Sequence, residues 1–437
     1  MIGHVSSKHS IASGREIPRQ RPYSQAYRAF VLAMLVLVYT FNFIDRQIVA
    51  ILAVPIKADL KLTDSQLGLM GGLAFALLYT ALGIPIARLA DRASRTWIMT
   101  CALGLWSAMS AACGLAQSFG QLFLARLGVG IGEAGGVAPA YSLICDFFPQ
   151  NQRARALGVY SFGIPIGSAV GVIVGGILAS QVSWRVAFFV VGLAGLLIAP
   201  LFRLSVREPP RGAFDSSTAR PAPSSLLDVM RVLRRKPSFW ALSLGAAASS
   251  MMGYGMFFWM PSFLVRSFDL GLLQASLAFG AIVLVGGLIG IWLGGAVADR
   301  LGQRHKSVYA LAPAIAFLTT APFYVTGVLS TTLWMTTALM LVPTALGLAW
   351  LGPVLTAIQH IVPPNMRVTS SAIFLFINNL LGIGLGTPLI GALSDAMHVR
   401  FGAESLRYAI VAGSGFYLVA AAFLLFASRR LEADWER

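Results

Sequence analysis

Apolar runs recur twelve times along this chain, at 28–54, 67–90, 96–116, 119–144, 155–178, 184–204, 239–266, 274–298, 306–328, 332–361, 367–393 and 405–428. At a helical rise of about 1.5 Å per residue, runs of about 20 residues cross the roughly 30 Å hydrocarbon core of a bilayer. Backbone N–H and C=O groups in lipid must find partners inside the protein, which leaves only helices or closed barrels. A barrel strand needs about 9–11 residues, so runs of this length specify helices. The predicted fold is an all-α polytopic membrane protein with twelve transmembrane helices. Hydrophobic residues make up 57% of the chain and charged residues 11%, which excludes an ordinary soluble domain.

The runs fall as six, a break, and six. They divide the chain into a basic tail (1–27), an N-terminal six-helix bundle (28–204), a linker (205–237), a C-terminal six-helix bundle (238–428) and a second tail (429–437). An even number of spans puts both termini on one side. The N-terminal tail, Arg88, Arg92, Arg95, Arg153, Arg155, the linker, Arg300, Arg304, Lys306, Arg367, Arg429 and Arg430 all fall on that side. An excess of Lys and Arg marks the cytoplasmic face, so both termini are expected in the cytoplasm, with the chain in the inner (plasma) membrane. Lys8, Arg15, Arg19, Arg21 and Arg28 lead into the first run, which lacks a small-residue cleavage site and reads as a retained helix rather than a signal peptide.

Several function classes are excluded. The net charge of +16 is spread over short segments between spans, not gathered on one soluble face, so no nucleic-acid partner is expected. Cys101, Cys113 and Cys145 have no metal-ligand spacing, and neither a metal nor a cofactor is expected. His360 is the single histidine in a span, and there is no H-E-x-x-H, G-x-S-x-G or P-loop, which argues against an enzyme.

The linker is rich in Pro, Ser and Arg. Within it Leu226, Met230 and Leu233 recur at i, i+4 and i+7 beside Arg231, Arg234, Arg235 and Lys236, predicting a short amphipathic helix against membrane lipids at the inner surface. An internal repeat supports the two-bundle division. Asp91-Arg92-Ala93-Ser94-Arg95 follows the second run, and Asp299-Arg300-Leu301-Gly302-Gln303-Arg304 closes the eighth, about half a chain length further on.

That paired loop motif resembles the signature of the major facilitator superfamily, which lies after the second and the eighth helix. Arg126-Leu127-Gly128-Val129-Gly130-Ile131-Gly132-Glu133-Ala134 resembles the superfamily's fourth-helix motif, and Gly163-Ile164-Pro165-Ile166-Gly167 with Gly171, Gly175 and Gly176 resembles its fifth-helix motif. Asn42-Phe43-Ile44-Asp45-Arg46, Gly130-Ile131-Gly132-Glu133-Ala134 and Pro165-Ile166-Gly167-Ser168 together are similar to the spinster family, including its bacterial members. Animal spinsters export sphingosine-1-phosphate or move lysophospholipids. The resemblance implies the major facilitator fold and a secondary transporter working by alternating access.

Asp45 and Arg46 are adjacent charges inside the first span. Each costs roughly 3 kcal/mol or more near a bilayer centre unless it faces a partner or a water-filled cavity. Arg126 and Glu133 are seven residues apart on the fourth span and so share a helix face. If the first and fourth helices meet at the central cavity, as the fold implies, the four charges form one neutral network. Burial disfavours a charged carboxylate and a nearby guanidinium favours it, so rearranging such a pair exchanges a proton; protons are the expected coupling partner. Asp91, Arg92, Arg95, Asp299, Arg300 and Arg304 are expected to latch the two halves at the cytoplasmic end in the outward-facing state.

Candidate substrate-cavity residues are Asn42 and Tyr79 in the first half and Tyr254, Phe258, Trp350, Gln359, Asn378 and Asn379 in the second. The seventh, tenth and eleventh helices supply no mid-span Arg or Lys. Together with the resemblance, this favours an amphipathic lipid-like substrate, lysolipid or sphingoid in character, over a proton-coupled sugar-acid symporter. An amphiphile or drug exporter is the other alternative. A monomer is expected.

Overall fold

The computed structural model describes residues 23–211, 226–301, 305–347 and 350–436. Twelve rods are present among them. In the first half they are α1 (Gln25–Leu60), α2 (Asp64–Gly71) with α3 (Leu73–Ala90), α4 (Arg95–Cys113), α5 (Phe119–Glu133) with α6 (Val137–Phe147), α7 (Gln150–Ser161) with α8 (Gly163–Gln181), and α9 (Trp184–Ser205). The linker carries α10 (Leu226–Leu233). The second half contains α11 (Pro237–Phe268), α12 (Leu272–Leu301), α13 (Val308–Leu329), α14 (Leu333–Leu346) with α15 (Leu351–His360), α16 (Arg367–Phe401), and α17 (Ser405–Gly413) with α18 (Gly415–Asp434).

Ser or Thr side chains cap the starts of five of the six first-half rods, the α7–α8 rod beginning instead at Pro149. Thr63 and Gln66 form a capping box on α2, and Ser94, Ser118 and Ser183 accept from the backbone at the starts of α4, α5 and α9. Among the described residues nine helical stretches are long and apolar enough to cross a membrane, and one of these, Thr369–Asp434, holds two rods. The remaining two rods fall short for local reasons. Residues 119–147 are split into segments of 15 and 11 residues, and α11 carries several serines and glycines along its length.

Glycines set the helix packing. A Cβ on Gly167 would lie 2.3 Å from the Thr40 carbonyl oxygen, and one on Gly171 would lie 2.7 Å from that of Ile44, so α8 rests directly on the backbone of α1. The Gly-rich stretch thus serves close approach. Between the halves, α8 packs on α12, α2 and α3 pack on α16, and α1 meets α11.

The linker departs from expectation at both described ends. Its first residues dock on the α3–α4 turn, where Glu208 accepts from Thr96 N–H at 2.9 Å and Arg211 donates to the carbonyls of Ala90 and Ala93 at 2.8 and 2.7 Å. α10 forms where the pattern predicted it. Its buried residues, however, are Val229 and Leu233, while Leu226 is exposed, so the helix is rotated from the expected Leu226–Met230–Leu233 face.

Candidate functional site

Asn42, Asp45 and Arg46 occupy i, i+3 and i+4 on α1 and therefore share one face, which meets α5. The pairing is crossed. Arg126 Nη1 of α5 donates to Asp45 Oδ2 at 3.2 Å, and Arg46 Nε of α1 donates to Glu133 Oε2 of α5 at 2.6 Å. The Ser110 hydroxyl of α4 donates to Asp45 Oδ1. Side-chain exposure is at most 2% for Asp45, Arg126 and Glu133 and 12% for Arg46, so two acids and two bases neutralise each other out of contact with bulk water. Two polar atoms in this buried group, Glu133 Oε1 and Arg126 Nε, have no hydrogen-bond partner.

Aromatic rings enclose the cations. The Arg46 guanidinium lies 5.1, 4.6 and 4.9 Å from the ring centroids of Phe43, Phe75 and Tyr79, and that of Arg126 lies 5.9 Å from Phe75. Both arginines line a narrow cleft of about 40 Å³ between the halves, whose other wall is Tyr254, Phe257, Phe258, Ile383 and Thr387. One side of the cleft carries the cations with aromatic rings, and the other is mainly apolar, with Tyr254 and Thr387 as its polar members.

Other sequence-named residues divide. Tyr254 and Phe258 line the cleft, and Tyr79 packs on Arg46. Asn42 is 2% exposed with neither amide atom hydrogen-bonded. Asn378 instead accepts from Ser250 Oγ at 2.9 Å and joins α16 to α11, and Asn379 is half-buried away from the cleft lining. Two placements are corrected. Trp350 is packed against Phe374 in the second-half core. Gln359 is exposed at the end of α15, where its neighbour His360 stacks at 4.9 Å on Trp435 of the C-terminal tail.

The first copy of the loop motif makes no ion pair across the halves among the described residues. Asp91 and Arg92 are exposed and make no ion pair among the described residues. Arg95 is buried within the first half, paired with Asp146 and, at 2.7 Å, with Glu208. Burial alone would raise the Glu208 carboxyl, but the Thr96 amide, Arg95 and Ser94 hold it below the usual carboxylate range. The side chains of Asp299 and Arg300, and all of Arg304, lie outside the described residues.

At the opposite end the halves are locked together. Arg266 of α11 grips Asp64 at the start of α2 with two hydrogen bonds of 2.6 and 2.7 Å. Lys57 at 2.5 Å and Ser394 Oγ at 2.8 Å complete the Asp64 shell. Asp395 of α16 accepts from the backbone of Asp64 at 3.1 Å and of Ser65 at 2.7 Å, capping a helix that belongs to the other half. Backbones touch here too, since a Cβ on Gly68 would lie 2.7 Å from the Thr387 carbonyl oxygen.

Comparison with known proteins agrees with this architecture. Residues 35–387 match the sequence profile of the Major Facilitator Superfamily. A Mycolicibacterium smegmatis protein described as an MFS-type efflux pump is 33% identical over 408 residues, covering 92% of this chain and 93% of the relative. Protein spinster homolog 1 of Bos taurus is 30% identical over 421 residues, covering 91% of this chain and 79% of the relative. The chain belongs to the spinster family of the major facilitator superfamily. A crystal structure of a bacterial homolog of the human lysosomal transporter Spinster, inward-facing and unoccupied, matches this spinster-family chain with a TM-score of 0.85 at 33% identity, covering 95% of this chain and 99% of the other. A second, inward-facing and occupied, gives 0.82. This spinster-family protein is a membrane transporter and not an enzyme.

Sequence reasoning missed Ser110 and the whole far-end lock. A serine in an apolar span carries no signal of its own. The lock did leave traces: Thr63-Asp64-Ser65-Gln66 is a helix start, and Ser394-Asp395 is a polar step late in an otherwise apolar run. What the sequence lacked was any indication that these two stretches face each other.

Proposed function

We propose that this spinster-family transporter moves a lysolipid-like or sphingoid-like amphiphile by alternating access and couples the movement to protons. The observation that carries the reading is the crossed pair Asp45–Arg126 and Arg46–Glu133, opening onto a cleft with one cationic wall and one mainly apolar wall. A polar or anionic headgroup suits the arginine side, with Asn42 on the same helix face, and an alkyl tail suits Phe257, Phe258 and Ile383. Protonation of Glu133 releases Arg46 to bind a headgroup, and loss of the proton returns Arg46 to Glu133. Because Asp45 and Glu133 share this network, the proton belongs to the pair.

The basic end is taken as cytoplasmic. On that orientation the Asp64–Arg266 lock is extracellular and the state is inward-facing. Exposed, unpaired Asp91 and Arg92 then belong to a latch that closes only in the outward-facing state, with Asp299, Arg300 and Arg304 as its second-half counterparts. Both bundles lie in one chain, so a monomer suffices. A second reading, outward transport of drug-like amphiphiles, is favoured by the relative described as an efflux pump.

Purified protein in liposomes with an imposed pH gradient tests the reading. A labelled lysolipid should move in response to the gradient, and Glu133→Gln should abolish that response while the protein still folds. Lysolipid flux that ignores the gradient would overturn the coupling, and movement of a sugar acid instead would overturn the substrate class.

A further inference from the structure

Among the described residues, α10 packs on the protein through one face. Val229 and Leu233 are fully buried in the second-half core, the helix lies against α16 and α11, and the Trp240 indole N–H donates to the Leu233 carbonyl at 3.0 Å. Leu227, Arg231 and Arg234, at i, i+4 and i+7, fall on the opposite side. The helical turn carries through Arg234, whose N–H reaches the Met230 carbonyl at 2.9 Å. Leu227 is 76% exposed, and Arg231, Arg234 and Arg235 are exposed. Arg231 is neutralised by Asp228 at 2.9 Å, while Arg234 and Arg235 have no carboxylate partner among the described residues.

We propose that this outward face is a docking surface for the phosphodiester headgroups of anionic membrane lipid. Charge complementarity selects the headgroup, since Arg234 and Arg235 are exposed guanidiniums without a carboxylate partner among the described residues, and guanidinium donors match phosphate oxygens. The outward leucine selects a lipid surface over a soluble polyanion, because an apolar side chain among arginines is stabilised at the boundary between headgroups and acyl chains. Location agrees. α10 sits between the last span of one bundle and the first span of the other, at the same end as exposed Arg429 and Arg430. Through its buried face it also bears on α16, the helix whose Asp395 caps α2 at the far end.

Hydrogen exchange on the full-length protein tests this without reference to transport. The protein is reconstituted in phosphatidylcholine vesicles with and without phosphatidylglycerol, and exchange is followed across residues 226–235. Each arginine near an anionic surface favours the bound form by about fivefold. Exchange should therefore slow severalfold with phosphatidylglycerol, and high salt should remove the difference. In the variant with Arg234→Gln and Arg235→Gln, exchange should match wild type in phosphatidylcholine and no longer respond to phosphatidylglycerol. Equal exchange of wild type in both vesicles would overturn the proposal. Equal protection by inorganic phosphate in plain phosphatidylcholine would assign the site to free phosphate instead and overturn the lipid source.

Discussion

Arg266→Ala should shift this transporter toward opening at the end away from its termini. The substitution removes the two charge-assisted hydrogen bonds, of 2.6 and 2.7 Å, that join Arg266 in one half to Asp64 in the other. Asp64 keeps Lys57 and Ser394, so no buried charge is stranded and the fold survives. Hydrogen bonds to charged groups contribute roughly 1.5–3 kcal/mol each, and both partners regain water when the halves separate, so about 2 kcal/mol is a fair net loss for the pair. At about 1.4 kcal/mol per factor of ten, the closed-to-open ratio falls roughly 30-fold. Asp395→Ala, which removes the cap on α2, should add about 1 kcal/mol. Spin labels at exposed Lys61 and Ala403, one in each half, report the separation in a background lacking Cys101, Cys113 and Cys145. A longer distance should grow in the single variants and dominate in the double. Arg266→Lys should be intermediate, because lysine keeps the charge and loses the two-pronged geometry. Distance distributions unchanged in the single and the double variants would refute the lock.

Asp45→Asn should leave the protein folded and able to exchange substrate across the membrane while ending accumulation driven by a pH gradient; wild-type accumulation in liposomes would make the network purely structural. Gly167→Val should lower thermal stability by about 1–3 kcal/mol through overpacking, because its Cβ meets the Thr40 carbonyl at 2.3 Å. Gly83→Ala in α3, where a Cβ meets nothing within 4 Å, should be neutral or slightly stabilising in the same melting assay. Docking of the linker through Glu208 depends on its carboxylate, whose folded-state value is depressed. That contribution is complete above the ordinary glutamate value of about 4.3 and is lost as pH falls through the lower folded value. Proteolysis within residues 205–211 should therefore accelerate only in strongly acidic buffer, and Glu208→Gln should be cleaved faster at neutral pH.

Much of the fold was legible because lipid leaves a chain so few choices. Run length pointed to the twelve rods, and the doubled Asp-Arg motif supports their division into two sets of six. The rods' interruptions were less visible, since breaks such as that at Gly72 answer to a neighbour: a Cβ there would lie 2.7 Å from the Ile383 carbonyl oxygen of α16. In the candidate site, the four charges on α1 and α5 were found because burying charge is costly enough to demand partners. Trp350 and Gln359 were misplaced for the converse reason. Gln359 lies near its rod's end, where a polar side chain meets water as readily as a cavity, and Trp350 lies at the break between α14 and α15, where an aromatic ring packs into the core as readily as it lines a cleft.

The two ends of the molecule constrain how the centre operates. At the far end, Arg266, Ser394 and Asp395 hold the start of α2, and none of these bonds survives if that end opens. Opening therefore requires compensation elsewhere. Near the termini, Asp91 and Arg92 are exposed and unpaired, while Arg95 is already committed to Asp146 and Glu208 inside its own half. Asp91 and Arg92 remain available for partners at that end. If the latch proposed above forms, the first half can rock as one piece with its Arg95 network intact, exchanging Asp64 contacts for Asp91 contacts. The central pairs Asp45–Arg126 and Arg46–Glu133 also lie wholly within that half, so rocking alone does not break them. Their rearrangement needs a proton or a ligand. In the coupled cycle proposed above, the proton or ligand must therefore bear on the lock as well as on the central pairs, because a gate that moved freely with the switch unchanged would leak the gradient.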